Sequence, residues 1–143
     1  MKKVLLYQMD SLYRDSFKIY GYHFGGNEKT VCIVGAIRGN EIQQLYMCSN
    51  LIKTLKLLEE RRCLDENLGI MIVPSVNPYS LNTSTRFWAT DNTDINRMFP
   101  GYDLGETTQR IADGFFPKSK DYTYGIHFTS FYLEGISLRM SES

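Results

Sequence analysis

Two apolar, β-branched runs separated by a helical pattern constrain the fold of this chain most. Residues 30–36 (TVCIVGA) and 68–73 (LGIMIV) are almost continuously apolar, which is typical of strands buried on both faces of a sheet. A strand, a helix and a strand of these lengths form a βαβ unit, so the sequence predicts a parallel strand pair with a right-handed crossover. Between the two runs, apolar residues recur at helical spacing and predict one apolar helix face: Ile42, Leu45, Cys48, Ile52, Leu55 and Leu58.

The ends of this βαβ helix and of the strand after it are predicted from local signals. Asn40 is a suitable N-cap, and Gln43 follows three residues later as a capping-box partner. The helix is therefore predicted to begin near Glu41 and to fade over residues 59–62. The second strand of the unit is predicted to stop at Pro74, because proline cannot donate to a strand ladder.

Four further segments complete the predicted layout. Residues 4–9 and 17–24 are predicted strands, and residues 17–36 are predicted to form a hairpin around the turn signal GGNE at 25–28. A second helix is predicted over 106–116, with Ile111, Phe115 and Phe116 as its apolar face, and a third core strand over 121–128. The expected fold is a single α/β domain over residues 1–143: a three-layer sandwich with a mixed, mainly parallel sheet.

Composition narrows the function classes. The 16 basic and 16 acidic residues cancel, which gives no electrostatic reason to expect nucleic acid or an anionic membrane as a partner. No stretch approaches membrane-spanning length, and the apolar run at residues 4–7, after Lys2 and Lys3, is too short for a signal peptide. Three widely spaced cysteines without a CxxC motif indicate free thiols in a reducing compartment. The cytoplasm is therefore the expected location.

Candidate functional residues lie after the first two core strands or near the end of the third, where an open α/β sheet places its ligands. Each has an ordinary structural explanation when taken alone. Glu41 could be a solvent residue favoured by the helix dipole, His127 a structural histidine, and the segment 94–97 (DINR) a loop held by side-chain to backbone hydrogen bonds. The long segment 74–104, rich in turn-forming residues, is nevertheless of a kind that is commonly functional.

Taken together and in order, these motifs resemble the succinylglutamate desuccinylase/aspartoacylase family, relatives of the zinc carboxypeptidases. That family shows a strand followed by Gly-x-His-Gly-Asp/Asn-Glu, then Pro-x-x-Asn-Pro, an arginine, Asp-x-Asn-Arg-x-Phe-Pro-Gly, and a strand ending in Asp-Leu-His. The matching segments of this chain are GAIRGNE at 35–41, PSVNP at 74–78, Arg86, DINRMFPG at 94–101 and GIH at 125–127. The resemblance covers most of the chain.

The resemblance implies a zinc-dependent hydrolase that cleaves the amide bond of N-acyl amino acids or small peptides. Glu41 and His127 match two metal ligands of the family. The residues that match its clamp for the substrate carboxylate are Arg86, Asn96 and Arg97, with Asp94 orienting them. In such a site zinc takes three protein ligands and a water, and arginines grip a carboxylate through paired hydrogen bonds.

Three departures from the family pattern affect this expectation. Arg38 occupies the position of the first histidine ligand, and a guanidinium has no lone pair for a metal. Gly125 replaces the aspartate that precedes Leu-His. The family's catalytic glutamate also has no match, because Glu134 and Glu142 lie too near His127. Arg38 is expected to pair with Glu41; the alternative is that it turns to solvent and leaves the cleft vacant.

Three interpretations therefore remain. The first is a hydrolase-family domain that is truncated and inactive as this chain, with zinc weakly bound or absent. The second is a metal-free pseudoenzyme that binds a small carboxylate ligand, and the third is a non-functional gene fragment whose exposed sheet edge drives association. The expected partner is a small-molecule carboxylate, with neither nucleic acid nor membrane; the substrate and the oligomeric state stay open.

Overall fold

The computed structural model describes residues 1–10, 16–36, 41–76 and 107–128. In this part of the chain the elements are β1 (Lys2–Met9), β2 (Phe17–Gly25), β3 (Val31–Ala36), α1 (Ile42–Glu60), β4 (Gly69–Ser75), α2 (Thr107–Ser119) and β5 (Tyr124–His127). Each strand and helix predicted from the sequence is present, with its ends displaced by a few residues. No helix in these described ranges is long and apolar enough to cross a membrane.

The described strands form one five-stranded sheet in the order β1-β2-β4-β3-β5. β3 pairs in parallel with β4 and with β5, whereas β2 pairs antiparallel with β1 and with β4. The predicted parallel pair on either side of α1 is confirmed, and so is the mixed sheet. Parallel and antiparallel pairings are equal in number among the described strands, so the sheet is mixed rather than mainly parallel here.

Two hydrophobic clusters cover opposite faces of this sheet, which confirms the three-layer arrangement. Alternate residues of a strand point to opposite faces, and β3 follows this rule: Cys32 and Val34 belong to the cluster that includes Phe115 of α2. Ile33 belongs to the other cluster, which includes Cys48 and Leu55 of α1. The sheet is therefore buried between α1 and α2, as the apolar runs predicted.

The predicted hairpin over residues 17–36 is wrong, because β4 lies between β2 and β3. After β2 the chain crosses the start of β4 in close contact. The backbone N–H of Gly26 donates to the carbonyl of Leu68 at 2.8 Å, and that of Thr30 donates to the carbonyl of Gly69 at 3.1 Å. A Cβ on Gly69 would overlap the carbonyl oxygen of Glu28. The turn signal at 25–28 thus marks a crossing over β4.

Pro74 does not stop β4, which continues to Ser75. The ladder between β2 and β4 ends at Ile72, so Pro74 is not paired with a residue of β2. Proline is tolerated where one ladder has ended. The predicted stop was therefore two residues too early.

The third strand is shorter and more exposed than predicted. β5 lies at the edge of the described sheet, where Tyr124 is 63% and Ile126 44% exposed. An apolar strand has the same sequence pattern whether a neighbour covers it or not. The prediction of a core strand over 121–128 is therefore wrong for the described residues.

Helix α2 contacts β1 and extends to Ser119, three residues beyond its predicted end. Phe115 is buried and Phe116 is half-buried, in agreement with the predicted apolar face. Ala112, which is fully buried, also belongs to this face. Of the third predicted face residue, Ile111, only the helical backbone is described.

Candidate active site

Glu41 is fully buried at the start of α1, with only 1% of its surface exposed. It occupies the N-cap position, yet its side chain makes no capping hydrogen bond. The predicted N-cap, Asn40, lies outside the described residues, and the helix begins at Ile42, one residue later than predicted. A dipole-favoured glutamate would lie in solvent, so burial excludes that explanation for Glu41.

The buried face of α1 differs from the predicted one at its first turn. Ile42 was predicted to lie on the apolar face but is 54% exposed, whereas Gln44 is 6% exposed. The face that meets the sheet runs from Glu41 through Gln44 to Cys48 and Leu55. Sequence reasoning missed Gln44, because the capping role was assigned to its neighbour Gln43. With Glu41 as N-cap, Gln44 stands at the third helical position, where a capping box places its Glu or Gln.

Close packing places the first turns of α1 against the carboxyl ends of β3 and β4. A Cβ on Gly35 would lie 2.6 Å from the carbonyl oxygen of Pro74, 2.7 Å from Sγ of Cys48 and 3.3 Å from the carbonyl oxygen of Gln44. Only glycine fits between these atoms, so Gly35 allows α1 to approach the sheet. As a result, Glu41 and Gln44 lie at the end of β3, where the sequence predicted a site.

His127 is the last residue of β5 and is half-buried. It pairs with Val34 in the parallel ladder, and its Nε2 atom is shielded from solvent. Paired residues of a parallel ladder point to the same face, so His127 lies on the α2 face, whereas α1 covers the other face. A ligand held by both Glu41 and His127 would therefore lie beyond the strand ends, the usual location in open α/β sheets.

The other predicted site residues lie outside the described residues. These are Arg38, at the position of the first histidine ligand, and the clamp residues Arg86, Asp94, Asn96 and Arg97. The expected Arg38–Glu41 ion pair likewise remains a prediction. Of the predicted set, the structure thus describes two residues: Glu41, at the start of α1, and His127, at the end of β5.

The chemistry of the placed residues matches a zinc site only in part. A carboxylate and an imidazole are both zinc ligands, but a catalytic zinc usually takes three protein ligands. In residues 1–10, 16–36, 41–76 and 107–128 no group of three or more His, Cys, Asp or Glu side chains could hold a metal ion. Arginine at position 38 cannot supply the third donor. These residues therefore do not make a complete zinc site.

The buried cysteines are not suited to catalysis or metal binding. All three are free thiols; Cys32 and Cys48 are buried and Cys63 is exposed, as the sequence predicted. Burial raises the pKa of Cys32 to about 12 and that of Cys48 to about 11. Because the thiolate is the nucleophile and the metal ligand, neither buried cysteine is suited to attack a substrate or bind a metal at neutral pH.

Comparison with known proteins agrees with the motifs. The model of the succinylglutamate desuccinylase/aspartoacylase catalytic domain matches residues 27–131. A curated succinylglutamate desuccinylase from Shewanella woodyi is 31% identical over 112 residues, which are 70% of this chain and 30% of that protein. This chain therefore spans less than a third of the length of that relative.

Solved structures show the same fold. An aspartoacylase family protein from Mesorhizobium loti has a TM-score of 0.69 and 27% identity, and the match covers 82% of this chain and 36% of that one. The product-bound ectoine utilization protein from Ruegeria pomeroyi has a TM-score of 0.66 and 23% identity, with 90% and 40% covered. The matched family model, the mixed sheet and the motifs at its strand ends agree: the chain belongs to the succinylglutamate desuccinylase/aspartoacylase catalytic domain family.

Proposed function

We propose that this chain binds the carboxylate of an N-acyl amino acid or small peptide at the carboxyl end of β3, and that it retains zinc weakly or not at all. The observation that carries the proposal is Glu41, a carboxylate buried to 1% exposure and not used as a helix cap. Burying a charged group is costly unless it is paired or binds an ion. A buried carboxylate at a ligand position of the family motif therefore requires a cationic partner, a role that we assign to Arg38, while the ligand carboxylate is assigned to the arginine clamp.

The clamp for the ligand carboxylate is assigned to Arg86, Asn96 and Arg97. They match the family's binding motif, and the planar guanidinium suits a carboxylate through two parallel hydrogen bonds. Asp94 is proposed to orient Arg97. The competing explanation is that Asp94 and Arg97 only pair with each other to hold the loop, an arrangement that contributes little at an exposed site.

We propose binding without turnover, because Arg38 stands where the family pattern has its first histidine. Its permanent positive charge attracts a carboxylate but cannot lower the pKa of a bound water as a metal does. Amide hydrolysis with zinc is the second candidate, supported by the ligand chemistry of Glu41 and His127. Three free thiols support a reducing location such as the cytoplasm.

A titration with N-succinyl-L-glutamate, the compound suggested by the name of the Shewanella woodyi relative, tests the proposed function. Calorimetry should detect binding by the parent chain, and Arg86→Ala or Arg97→Ala should weaken it about tenfold or more, since a hydrogen bond to a charged group contributes about 1.5–3 kcal/mol. Arg110→Ala is the matched control, because Arg110 is an exposed arginine on α2. No binding by the parent, or equal losses in all three variants, would contradict the proposal.

Metal analysis separates the two candidates. After purification without chelator, the parent chain is expected to carry substoichiometric zinc, because two donors fall short of three. Stoichiometric, tightly held zinc would favour the metal-dependent hydrolase over the metal-free binder.

A further inference from the structure

We infer that the face of β1 and β2 beside α1 is a docking surface for an acidic amphipathic helix of a partner protein. This surface, which we call the β1–β2 ledge, consists of Lys3 and Leu5 of β1 and Lys18, Tyr20 and Tyr22 of β2. Lys3 pairs with Tyr22 and Leu5 with Tyr20, and alternate residues of a strand share a face. Tyr22 packs against the cluster beneath α1, so the ledge belongs to the α1 face of the sheet. The inference does not depend on the proposed function, because none of these residues belongs to the proposed site.

The ledge is open and has the width of one helix. Leu5 is 47% exposed, and both lysines are exposed. Neighbouring strands lie about 4.8 Å apart, so the centre of the β1–β2 pair is about 10 Å from the centre of the β3–β4 pair, which α1 contacts. Packed helices are separated by about 8–10 Å. A second helix therefore fits on the ledge beside α1.

The charges of the ledge favour an acidic partner. Among the residues that the structure describes, neither Lys3 nor Lys18 makes an ion pair. Two carboxylates border the ledge, and both already accept hydrogen bonds. Asp10 accepts from two neighbouring side chains, and Glu59 accepts from the backbone N–H of Gly25 at 2.8 Å and from the amino terminus. Carboxylates of a partner would complement the two lysines.

The aromatic part of the ledge favours a peptide over a nucleic acid. Nζ of Lys3 lies 4.1 Å from the centroid of the Tyr20 ring, so a cation already covers a ring face to which a base would stack. Tyr22 is half-buried against the cluster beneath α1. The most exposed apolar contact is therefore Leu5, which suits an aliphatic side chain.

The spacing of the ledge suits a helix. Lys18 lies four residues before Tyr22, the partner of Lys3, which is about 13 Å along the strand. Two glutamates seven residues apart on one helix face are about 10 Å apart, and flexible side chains span the difference. An aliphatic residue between the glutamates would lie over Leu5, because the partner of Leu5 is midway between Lys18 and Tyr22. The partner is thus a helix with acidic ends and an apolar centre, a common mode of recognition.

The experiment measures binding of a fluorescent synthetic peptide to the full chain by anisotropy. The probe is a helical peptide with two glutamates seven residues apart and leucines between them, and a second peptide has glutamine in place of both glutamates. We expect the parent chain to bind the glutamine peptide about fivefold more weakly, because two exposed charge pairs are lost. Lys3→Glu with Lys18→Glu should weaken binding of the acidic probe about tenfold or more, because like charges then face each other. Lys118→Glu with Lys120→Glu, at exposed lysines in α2 and just after it, is the matched control and should change little.

The apolar contact has a test of its own. Leu5→Ser should weaken binding of the acidic probe about fivefold, whereas Leu57→Ser, at a leucine of α1 with 45% exposure, should not. No binding of the acidic probe by the parent, equal binding of the two peptides, or equal losses in ledge and control variants would overturn the inference. Tighter binding of single-stranded oligothymidylate than of the acidic probe, lost in the same lysine variant, would also overturn it in favour of a nucleic acid. The comparison of the two peptides uses the parent chain, so it decides the inference even where a variant does not fold.

Discussion

At the scale of single residues, the proposed chemistry of the site depends on Arg38 and Glu41. The family motif pairs a histidine and a glutamate three residues apart, and here an arginine replaces the histidine. The glutamate has nevertheless remained buried at the start of α1. A guanidinium beside a buried carboxylate could neutralise it through a charge-assisted hydrogen bond, a pairing that would keep the fold intact without a metal.

Arg38→His should restore a three-donor site with Glu41 and His127. Zinc affinity is expected to rise at least about tenfold, since the loss of even an outer partner of a metal ligand costs about 10–100-fold. The measurement is competition against a chromophoric zinc chelator, with Arg61→His, at an exposed arginine beyond α1, as the control. If Arg38→His binds no more zinc than the parent, Arg38 does not occupy the ligand position.

The thiols provide a second prediction at this scale. With its raised pKa, Cys32 stays protonated in the fold but ionises in the unfolded chain, so stability should fall as the pH rises above about 8.5. At neutral pH, a thiol reagent should modify exposed Cys63 rapidly and should reach Cys32 and Cys48 only after unfolding. Cys63→Ser should abolish the rapid phase. A rapid phase that survives this substitution would show that a buried thiol is accessible.

At the scale of elements, close contacts through glycine determine how the helices lie on the sheet. Gly35 allows α1 to approach β3, and Gly114 allows α2 to approach β1, since a Cβ on Gly114 would overlap the ring of Tyr7. Both glycines are required by a neighbouring element and not by their own backbone conformation. Local propensity alone would favour alanine over Gly114 in a helix by about 1 kcal/mol.

Gly114→Ala is therefore expected to destabilise the protein despite its better helix propensity. Overpacking costs about 1–3 kcal/mol, which exceeds the propensity gain, and urea unfolding measures the net loss. The effect should disappear or reverse in a Tyr7→Ala background, because the ring that meets the new methyl group is then absent. An equal loss in both backgrounds would show that the helix does not pack on β1 through this contact.

At the scale of the whole molecule, the two edges of the described sheet differ. β1 carries Lys2 and Lys3 and has an irregular register between Leu5 and Tyr7, which are features that discourage edge-to-edge pairing. β5 carries neither a charge nor a bulge, and it exposes Tyr124 and Ile126. An exposed apolar edge of this kind is a template for association.

Association through β5 should respond to a charge on that edge. The parent chain is expected to show concentration-dependent association in sedimentation equilibrium, and Ile126→Lys should weaken it about tenfold by adding a charge to the edge. Ile42→Lys is the control, because Ile42 is similarly exposed but lies on α1. A parent chain that stays monomeric at every concentration, or an equal effect of both lysines, would contradict association through β5.

The sequence by itself determined the elements, the parallel pair around α1 and the family. The spacing of apolar residues and the turn signals are local properties, so they located β3, α1 and β4 to within a few residues. The motifs from Gly35 to His127 could likewise be recognised in the sequence alone. The same locality explains the candidate ligands: Glu41 was identified because it follows a recognisable strand, and His127 because it lies near the end of one.

Only the tertiary structure decided which strands are neighbours and which polar side chains are buried. The insertion of β4 between β2 and β3 depends on a backbone crossing at Gly69 that no local pattern encodes. Likewise, Ile42 is exposed and Gln44 is buried, because at 100° per residue Gln44 falls on the same face of α1 as Cys48, whereas Ile42 lies about 120° away from it. Strand order and side-chain burial depend on contacts between residues distant in the chain, and these contacts form only when the elements pack.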